Sequence, residues 1–177
     1  EYISHKTEDE STAAIVYTSG TTGVSKGVML SHKNFALDTY ASCRVGMFDG
    51  DTLLILPLHH TFGLVAGVFI TMLYGYTIYI NKSLRYLSAD FVKAAPKKLF
   101  AVPLVVETLY KNIWNTLRQA GREEEVRDLI DKSNALLAEG TDRRKEFFRS
   151  VLAPFGGRLE LIISGGAPLN PKYIQGF

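Results

Sequence analysis

The stretch YTSGTTGVSKGVMLSH, from Tyr17 to His32, combines three glycines, several hydroxyl side chains and a single lysine. The residues on either side of this cluster have high β-propensity: Ala13–Thr18 (AAIVYT) predicts a buried strand, and Val28–Leu30 predicts a second short strand. Glycines allow the backbone to turn tightly and bring its N–H groups close to an anion. The hydroxyl groups and Lys26 add donors and a positive charge. The stretch therefore predicts a loop that binds phosphate.

The spacing within this loop differs from that of the Walker phosphate loop, GxxxxGK[ST]. Counted from Gly20, the second glycine of that pattern would fall on Ser25, and Gly27 stands where the pattern requires a hydroxyl residue. The loop also leads into a strand instead of directly into a helix. A turn between strands can be rich in Gly, Ser and Thr for structural reasons alone, but it has no need of so many donors around one lysine. An anion-binding loop of another kind is the better interpretation.

Short apolar runs alternate with helical patterns along the rest of the chain. This alternation favours an α/β fold with a largely parallel sheet flanked by helices. The first helix is predicted from His32 to Gly46 with Ser31 as its cap, and its apolar stripe is Phe35, Leu37, Tyr40 and Val45. The further predicted strands are Thr52–Leu56, Thr77–Ile80, Lys98–Val102 and Leu159–Ile163. The further predicted helices are Thr61–Tyr74, Ala89–Ala95, Val105–Ala120, an amphipathic pair within residues 122–150 broken near Gly140, and a last helix capped by Asn170.

Composition narrows the classes of function. The chain has 177 residues, of which 46% are hydrophobic, enough for one sizeable core or for part of a larger domain. Its 20 basic and 18 acidic residues nearly cancel, so we expect no nucleic-acid partner. One cysteine, Cys43, excludes an internal disulfide and fits a reducing compartment, so we expect a cytoplasmic protein. The apolar run from Leu53 to Ile80 is interrupted by proline, histidine and glycine, which argues against a membrane span.

Three motifs together resemble one known family. TSGTTGVSKGVMLSH is similar to the phosphate-binding loop of the adenylate-forming (AMP-binding) superfamily, which includes acyl-CoA synthetases, luciferases and peptide-synthetase adenylation domains. The family loop reads roughly [ST]SG[ST]TGxPKG, and this chain departs from it at Ser25, where proline is usual. LPLHHTFG at 56–63 and SGGAPL at 164–169 resemble two further family segments in the expected order. Taken alone, each of these two segments is weak evidence for the family. A strand-to-helix turn would explain SGGAPL equally well, and an isolated His60 would more often be a polar residue at a helix start.

The resemblance implies a role for each motif. The β- and γ-phosphates of ATP would bind at the loop, whose candidate residues are Thr18, Ser19, Gly20, Thr21, Thr22, Gly23 and Lys26, with Thr18 also near Mg²⁺. Adenine and the adenylate would lie against Gly165, Gly166, Ala167 and Pro168. The acyl pocket would be bordered by His60, Phe62 and Gly63. The substrates implied are ATP, a fatty acid and coenzyme A.

The charged helical segment from Val105 to about residue 150 is similar to that of long-chain fatty acyl-CoA synthetases, although most of its charged residues are expected to form only a solvated surface. The resemblance thus implies activation of a long-chain fatty acid to acyl-adenylate and then to acyl-CoA. An aryl- or medium-chain acyl-CoA ligase and a non-catalytic nucleotide-binding module are the alternatives. A long-chain substrate would make peripheral membrane contact plausible, and the oligomeric state is left open.

The chain begins without methionine and stops within a predicted helix. From this we expect residues 1–177 to be a partial AMP-binding (adenylation) domain that lacks the mobile C-terminal domain of the family. The resemblance implies that the glutamate that binds Mg²⁺ and the catalytic lysine both lie beyond residue 177. We therefore expect these 177 residues alone to be inactive.

Overall fold

The computed structural model describes residues 6–19, 23–46 and 49–177. Near the start, β1 (Thr12–Thr18) and β2 (Lys26–Ser31) form an antiparallel hairpin. Both strands match the sequence prediction. The predicted burial of the first strand is wrong: Ile15 is 54% exposed and Tyr17 is 69% exposed. The reason is that the hairpin forms a two-stranded sheet of its own, separate from the larger sheet, so its side chains are only partly covered.

The larger sheet has four strands, all parallel, in the order β4-β3-β5-β6. The strands are β3 (Thr52–Leu54), β4 (Ile78–Ile80), β5 (Lys98–Ala101) and β6 (Leu161–Ser164). This confirms the predicted α/β fold with a largely parallel sheet. Strand β3 ends two residues before the predicted Leu56, just ahead of Pro57, which has no N–H group to offer a ladder.

Helix α1 (His32–Val45) begins at a capping box, as the sequence predicts for Ser31. The Ser31 hydroxyl accepts a hydrogen bond from the Asn34 N–H at 3.2 Å, and the Asn34 side chain accepts one from the Ser31 N–H at 2.9 Å. The predicted apolar stripe is only partly correct. Phe35 is buried together with Thr39, whereas Leu37 and Tyr40 are exposed. Positions four apart share a helix face, but a residue two positions from Phe35 points to the far side. The side chain of Val45 lies outside the described residues.

The predicted helix Thr61–Tyr74 is interrupted by a π-helix. The segment consists of α2 (Thr61–Leu64), a π-helix (Val65–Phe69) and α3 (Ile70–Leu73). Gly67 lies so close to β3 that an added Cβ would be 2.5 Å from Leu54 Cδ1. The buried hydroxyl of Thr71 donates to the Gly67 carbonyl oxygen at 3.2 Å and lies 3.1 Å from the Thr52 hydroxyl. These contacts hold the π-helix against the first strand of the sheet.

The other helices lie close to the predicted positions, except that the second helix of the predicted amphipathic pair is divided into two helices of four residues each. They are α4 (Leu87–Ala94), α5 (Pro103–Gln119), α6 (Glu123–Ala138), α7 (Arg144–Phe147), α8 (Arg149–Leu152) and α9 (Pro171–Gln175). The Asn170 side chain accepts a hydrogen bond from the Lys172 N–H at 3.1 Å, which confirms the predicted cap. Within the described ranges, none of the helices has the length and apolar character needed to cross a membrane.

The parallel sheet separates two hydrophobic clusters. On one face, Leu53 and Leu99 pack with Phe91 of α4 and Val106 of α5. On the other face, Leu54 and Phe100 pack with Ala66 of the π-helix and with neighbouring residues. Adjacent strand residues point to opposite faces, so each strand contributes to both clusters. The sheet is therefore covered by helices on both sides.

Candidate functional site

The strand order of the parallel sheet reverses between β3 and β5. The chain passes from β3 outward to β4 and then crosses back over β3 to form β5. In open parallel sheets, ligands bind outside the carboxyl ends of the strands at such a reversal. The segment 56–63 follows β3, and the segment 164–169 begins at the last residue of β6. Two of the three predicted motifs therefore lie at the sheet edge where a ligand is expected.

These two motifs are in direct contact. A Cβ added to Gly165 would lie 2.8 Å from the ring of Phe62, so a side chain at this position requires the ring to move. The Gly165 N–H donates to the Ala101 carbonyl oxygen at 3.1 Å, which holds the glycine beside the end of β5. The Phe62 ring packs edge-to-face on Phe100, with ring centroids 6.3 Å apart. The predicted acyl segment and the predicted adenine segment thus form one continuous surface.

The segment after β6 presents few side chains. Gly166 has φ +85°, a conformation that favours glycine, and an added Cβ would approach only Val102, at 3.9 Å. Ala167 and Pro168 are exposed. Such a surface can accept a flat ring, but adenine binding by Gly165, Gly166, Ala167 and Pro168 stays a prediction.

Ser164, the last residue of β6, has a buried hydroxyl oxygen. Within the described part of the chain this oxygen has no hydrogen-bond partner. Buried polar groups nearly always find a partner in protein, water or ligand. The unpaired hydroxyl lies next to Gly165 in sequence, so it too is found at the carboxyl edge of the sheet.

An open cleft of about 420 Å³ lies between helix α1, the α2 and π-helix segment, and the sheet. Its lining residues are mostly apolar and comprise Asp38, Ser42, Thr61, Phe62, Val65, Ala66, Ile70, Phe100 and Ile163. Of these, Phe62 is a pocket residue predicted from the sequence. Asp38 and Ser42 are four positions apart on α1 and so share one helix face. This spacing can be read from the sequence, but the sequence does not show that this face borders the cleft.

The other two predicted pocket residues have different surroundings. His60 is exposed, occupies the N-cap position of α2 without a side-chain cap, and lies beside His59, with ring centroids 4.4 Å apart. Gly63 is buried, and an added Cβ would be 2.4 Å from the Pro57 carbonyl oxygen. The glycine allows α2 to pack against the preceding loop. Neither residue is among those that line the cleft, and their part in binding an acid stays a prediction.

The predicted phosphate-loop residues that the structure describes belong to the hairpin. Thr18 and Lys26 are paired at the loop end of the hairpin, and Ser19 and Gly23, with φ +78°, lie in the connection between the strands. All four are exposed. Gly20, Thr21 and Thr22 lie outside the described residues. Helix α1 contacts both β2 and the π-helix, and in this way connects the hairpin to the wall of the cleft.

The described residues offer little for a metal ion. Among them, no three His, Cys, Asp or Glu side chains are grouped as a metal site. Thr18 provides one neutral oxygen at the end of the hairpin. Mg²⁺ commonly keeps several waters and binds through one or two carboxylates together with substrate phosphates. Thr18 therefore fits as a single ligand beside a bound phosphate, and does not form a site by itself.

Comparisons with known proteins identify the family of the chain. The profile of the family described as AMP-binding enzyme matches residues 2–177. A chloroplastic long-chain-fatty-acid–[acyl-carrier-protein] ligase of Arabidopsis thaliana is 36% identical over 137 residues, covering 73% of this chain and 18% of the relative. A long-chain-fatty-acid–CoA ligase of Homo sapiens is 30% identical over 179 residues, covering 91% of this chain and 25% of the relative.

The fold also matches a solved structure. The A-PCP didomain of carboxylic acid reductase from Segniliparus rugosus, in complex with AMP, has a TM-score of 0.70 and 28% sequence identity, covering 98% of this chain and 23% of that chain. The chain thus spans a quarter or less of the length of these relatives. Because the family profile covers nearly all of the sequence, the chain belongs to the AMP-binding family of adenylate-forming enzymes.

Proposed function

We propose that the full-length protein that contains this chain activates a carboxylic acid with ATP, and that the acid is a long-chain fatty acid. The observation that carries the proposal is the contact between Phe62 and Gly165. This contact joins the mostly apolar cleft to the side-chain-poor segment 165–168. An acid lying in the cleft would thus have its carboxylate next to the surface on which an adenine nucleotide is expected.

The reaction proposed has two steps. A carboxylate oxygen of the acid attacks the α-phosphorus of ATP, the bond between the α-phosphorus and the bridging oxygen breaks, and pyrophosphate leaves. The sulfur of the coenzyme A thiolate then attacks the acyl carbon, and AMP leaves. Both substrates of the first step are anions, so cationic groups must offset their charge. Lys26, exposed at the end of the hairpin, is the candidate among the predicted loop residues.

The loop between β1 and β2 would hold the β- and γ-phosphates. The Ser19 hydroxyl and the backbone of the exposed residues Ser19 and Gly23 suit this role, since glycine permits φ +78° without strain. Mg²⁺, when bound, would screen the phosphate charge. Thr18 is the residue of this chain that we propose as its neighbour.

The relatives support the activation of a carboxylic acid with ATP, but they do not agree on which acid is activated or on which group then accepts the acyl chain. Their names include an acyl-carrier-protein ligase, a CoA ligase and a carboxylic acid reductase. The long-chain acid and the coenzyme A acceptor are therefore proposals from the mostly apolar cleft and from the resemblance of the charged segment. Aryl and medium-chain acids are the alternatives that the same experiment tests.

The experiment is ATP–pyrophosphate exchange by the full-length protein with a panel of short-, medium- and long-chain fatty acids and aryl acids. We expect exchange with long-chain acids, and a fall of about 100-fold or more in Lys26→Ala, since loss of one charge-stabilising group typically has an effect of this size. Lys132→Ala on α6 is the matched control. Exchange with aryl acids alone would replace the proposed substrate. Nucleotide binding without exchange for any acid would support a non-catalytic module.

Three further expectations are part of this proposal. The first is that the 177 residues form only part of the adenylation domain and make no thioester alone, which the relatives' greater length supports. Thioester formation by the isolated chain would contradict it. The second is a cytoplasmic location, and the third is peripheral membrane contact during use of a long-chain acid. Fractionation of cells that express the full-length protein tests both.

A further inference from the structure

The cleft has two chemically different walls. One side is apolar and includes Val65 of the π-helix, Ile70 of α3 and Ile163 of β6. The α1 side is lined by Asp38 and Ser42, whose side chains carry a carboxylate and a hydroxyl. Negative charge is unusual in a site for an acid, because the substrate is itself an anion. The reacting carboxylate is proposed to lie by Gly165, so the charge on α1 would face the body of the acid.

The charge of Asp38 is not neutralised within the described residues, where this side chain has no ion pair or hydrogen bond. The two cations on the same helix are used elsewhere: Lys33 pairs with Glu10 at 2.6 Å, and Arg44 lies over the ring of Tyr40. Both cations are five or six positions from Asp38 and so lie on the opposite side of α1. The cleft therefore carries one uncompensated negative charge at its wall.

We propose that Asp38 is a specificity-determining residue that selects acids with an uncharged body and rejects dicarboxylic acids. This inference rests on the proposed function and deepens it. A second carboxylate within the cleft would be repelled by Asp38, whereas a methyl-terminated chain would not. Rejection by a like charge is a common way to discriminate between ligands that otherwise make the same contacts. Because Asp38 is solvent-exposed, the repulsion is partly screened and its effect is moderate.

The test compares a monocarboxylic and a dicarboxylic long-chain acid of equal length, hexadecanoate and hexadecanedioate, in ATP–pyrophosphate exchange by the full-length protein. We expect Asp38→Asn to reduce the preference for hexadecanoate about three- to tenfold, the range for a screened charge pair several ångströms apart. Ser42→Asp, which adds a charge on the same face, has the opposite effect and increases the preference. Asp128→Asn removes an exposed carboxylate from α6 and leaves the ratio unchanged. Raising the ionic strength reduces the preference of the wild-type protein but not that of Asp38→Asn.

Direct binding of the same two acids, measured by calorimetry, separates failure of this inference from failure of the proposed function. If the wild-type protein exchanges pyrophosphate with no acid, the proposed function fails. The inference about Asp38 is then decided by binding alone: the ratio of the binding constants of the two acids is measured in wild type and in Asp38→Asn, and a smaller preference for the monocarboxylic acid in the variant supports it. If Asp38→Asn leaves both the exchange ratio and the binding ratio within twofold of wild type, Asp38 is only part of a solvated helix face and the inference is overturned.

Discussion

The amino ends of the parallel strands lie along one edge of the sheet, the amino edge, and their carboxyl ends lie along the opposite one, the carboxyl edge. Both edges carry polar groups, but these groups are paired at one edge and unpaired at the other. At the amino edge, Lys98 is only 6% exposed, and its ammonium group lies 3.2 Å from Asp49 and 4.0 Å from Glu160. Lys97 also pairs with Asp49, at 3.3 Å. The charges at this edge therefore satisfy one another within the fold.

The carboxyl edge is arranged in the opposite way. Its segment after β6 is built of Gly165, Gly166 and small neighbours, and the buried hydroxyl of Ser164 has no partner within the described residues. The cleft alongside it holds the unpaired carboxylate of Asp38. Polarity alone therefore does not mark a binding site. Polar groups that are already paired stabilise the fold, whereas unpaired groups beside open space are available to a ligand.

The largest effect should come from filling the contact at the carboxyl edge. Gly165→Val places a branched side chain where even a Cβ would be 2.8 Å from the Phe62 ring. We expect pyrophosphate exchange to fall about 100-fold, because displacement of a positioning group by about 1 Å can have that effect. Gly157→Ala, at a positive φ but in open space, is the control and should retain exchange. Exchange at the wild-type level in Gly165→Val would show that this contact is not part of the site.

The amino edge should respond in stability and not in activity. Lys98→Met removes the buried cation and leaves Asp49 and Glu160 without it. Breaking a fully buried pair costs about 3–5 kcal/mol, and the partial exposure of both acids reduces the expected loss to about 1–3 kcal/mol. Thermal unfolding of the full-length protein measures the loss. If Lys98→Met lowered pyrophosphate exchange per folded molecule and left the melting temperature unchanged, the amino edge would serve activity instead of stability, which would contradict this prediction.

The smallest effect should be the pH dependence that Asp49 contributes at the amino edge. Hydrogen bonds from Lys98 and Lys97 lower the pKa of Asp49 below its ordinary value of 3.8. A lowered pKa in the folded state stabilises the protein at pH values above the unfolded pKa, and this contribution disappears as the pH falls through the folded pKa. We therefore expect Asp49→Asn to be less stable than wild type at neutral pH and to approach it below about pH 4. Parallel melting curves from pH 7 to pH 3 measure this. An equal difference between the two proteins at every pH would contradict it.

Sequence patterns predicted the fold to the level of individual elements. Short apolar runs identified the strands of the parallel sheet, and polar residues at helix starts identified the caps at Ser31 and Asn170. These features depend on neighbours in sequence. The π-helix from Val65 to Phe69 was not predicted, because it depends on contacts of Gly67 and Thr71 with residues of β3. The exposure of Ile15 and Tyr17 was likewise not predicted, since an apolar strand sequence does not show whether another element packs against the strand.

The sequence by itself determined the family and the identity of the motifs, since the order of three short segments is a property of the chain alone. The tertiary structure decided which motifs meet. Phe62 and Gly165 are 103 positions apart in the chain, and only the strand order places them in contact. Structure also decided that Asp38 lies beside the cleft while the charges of the amino edge are paired. Burial and pairing are set by residues distant in sequence, and for that reason local patterns cannot encode them.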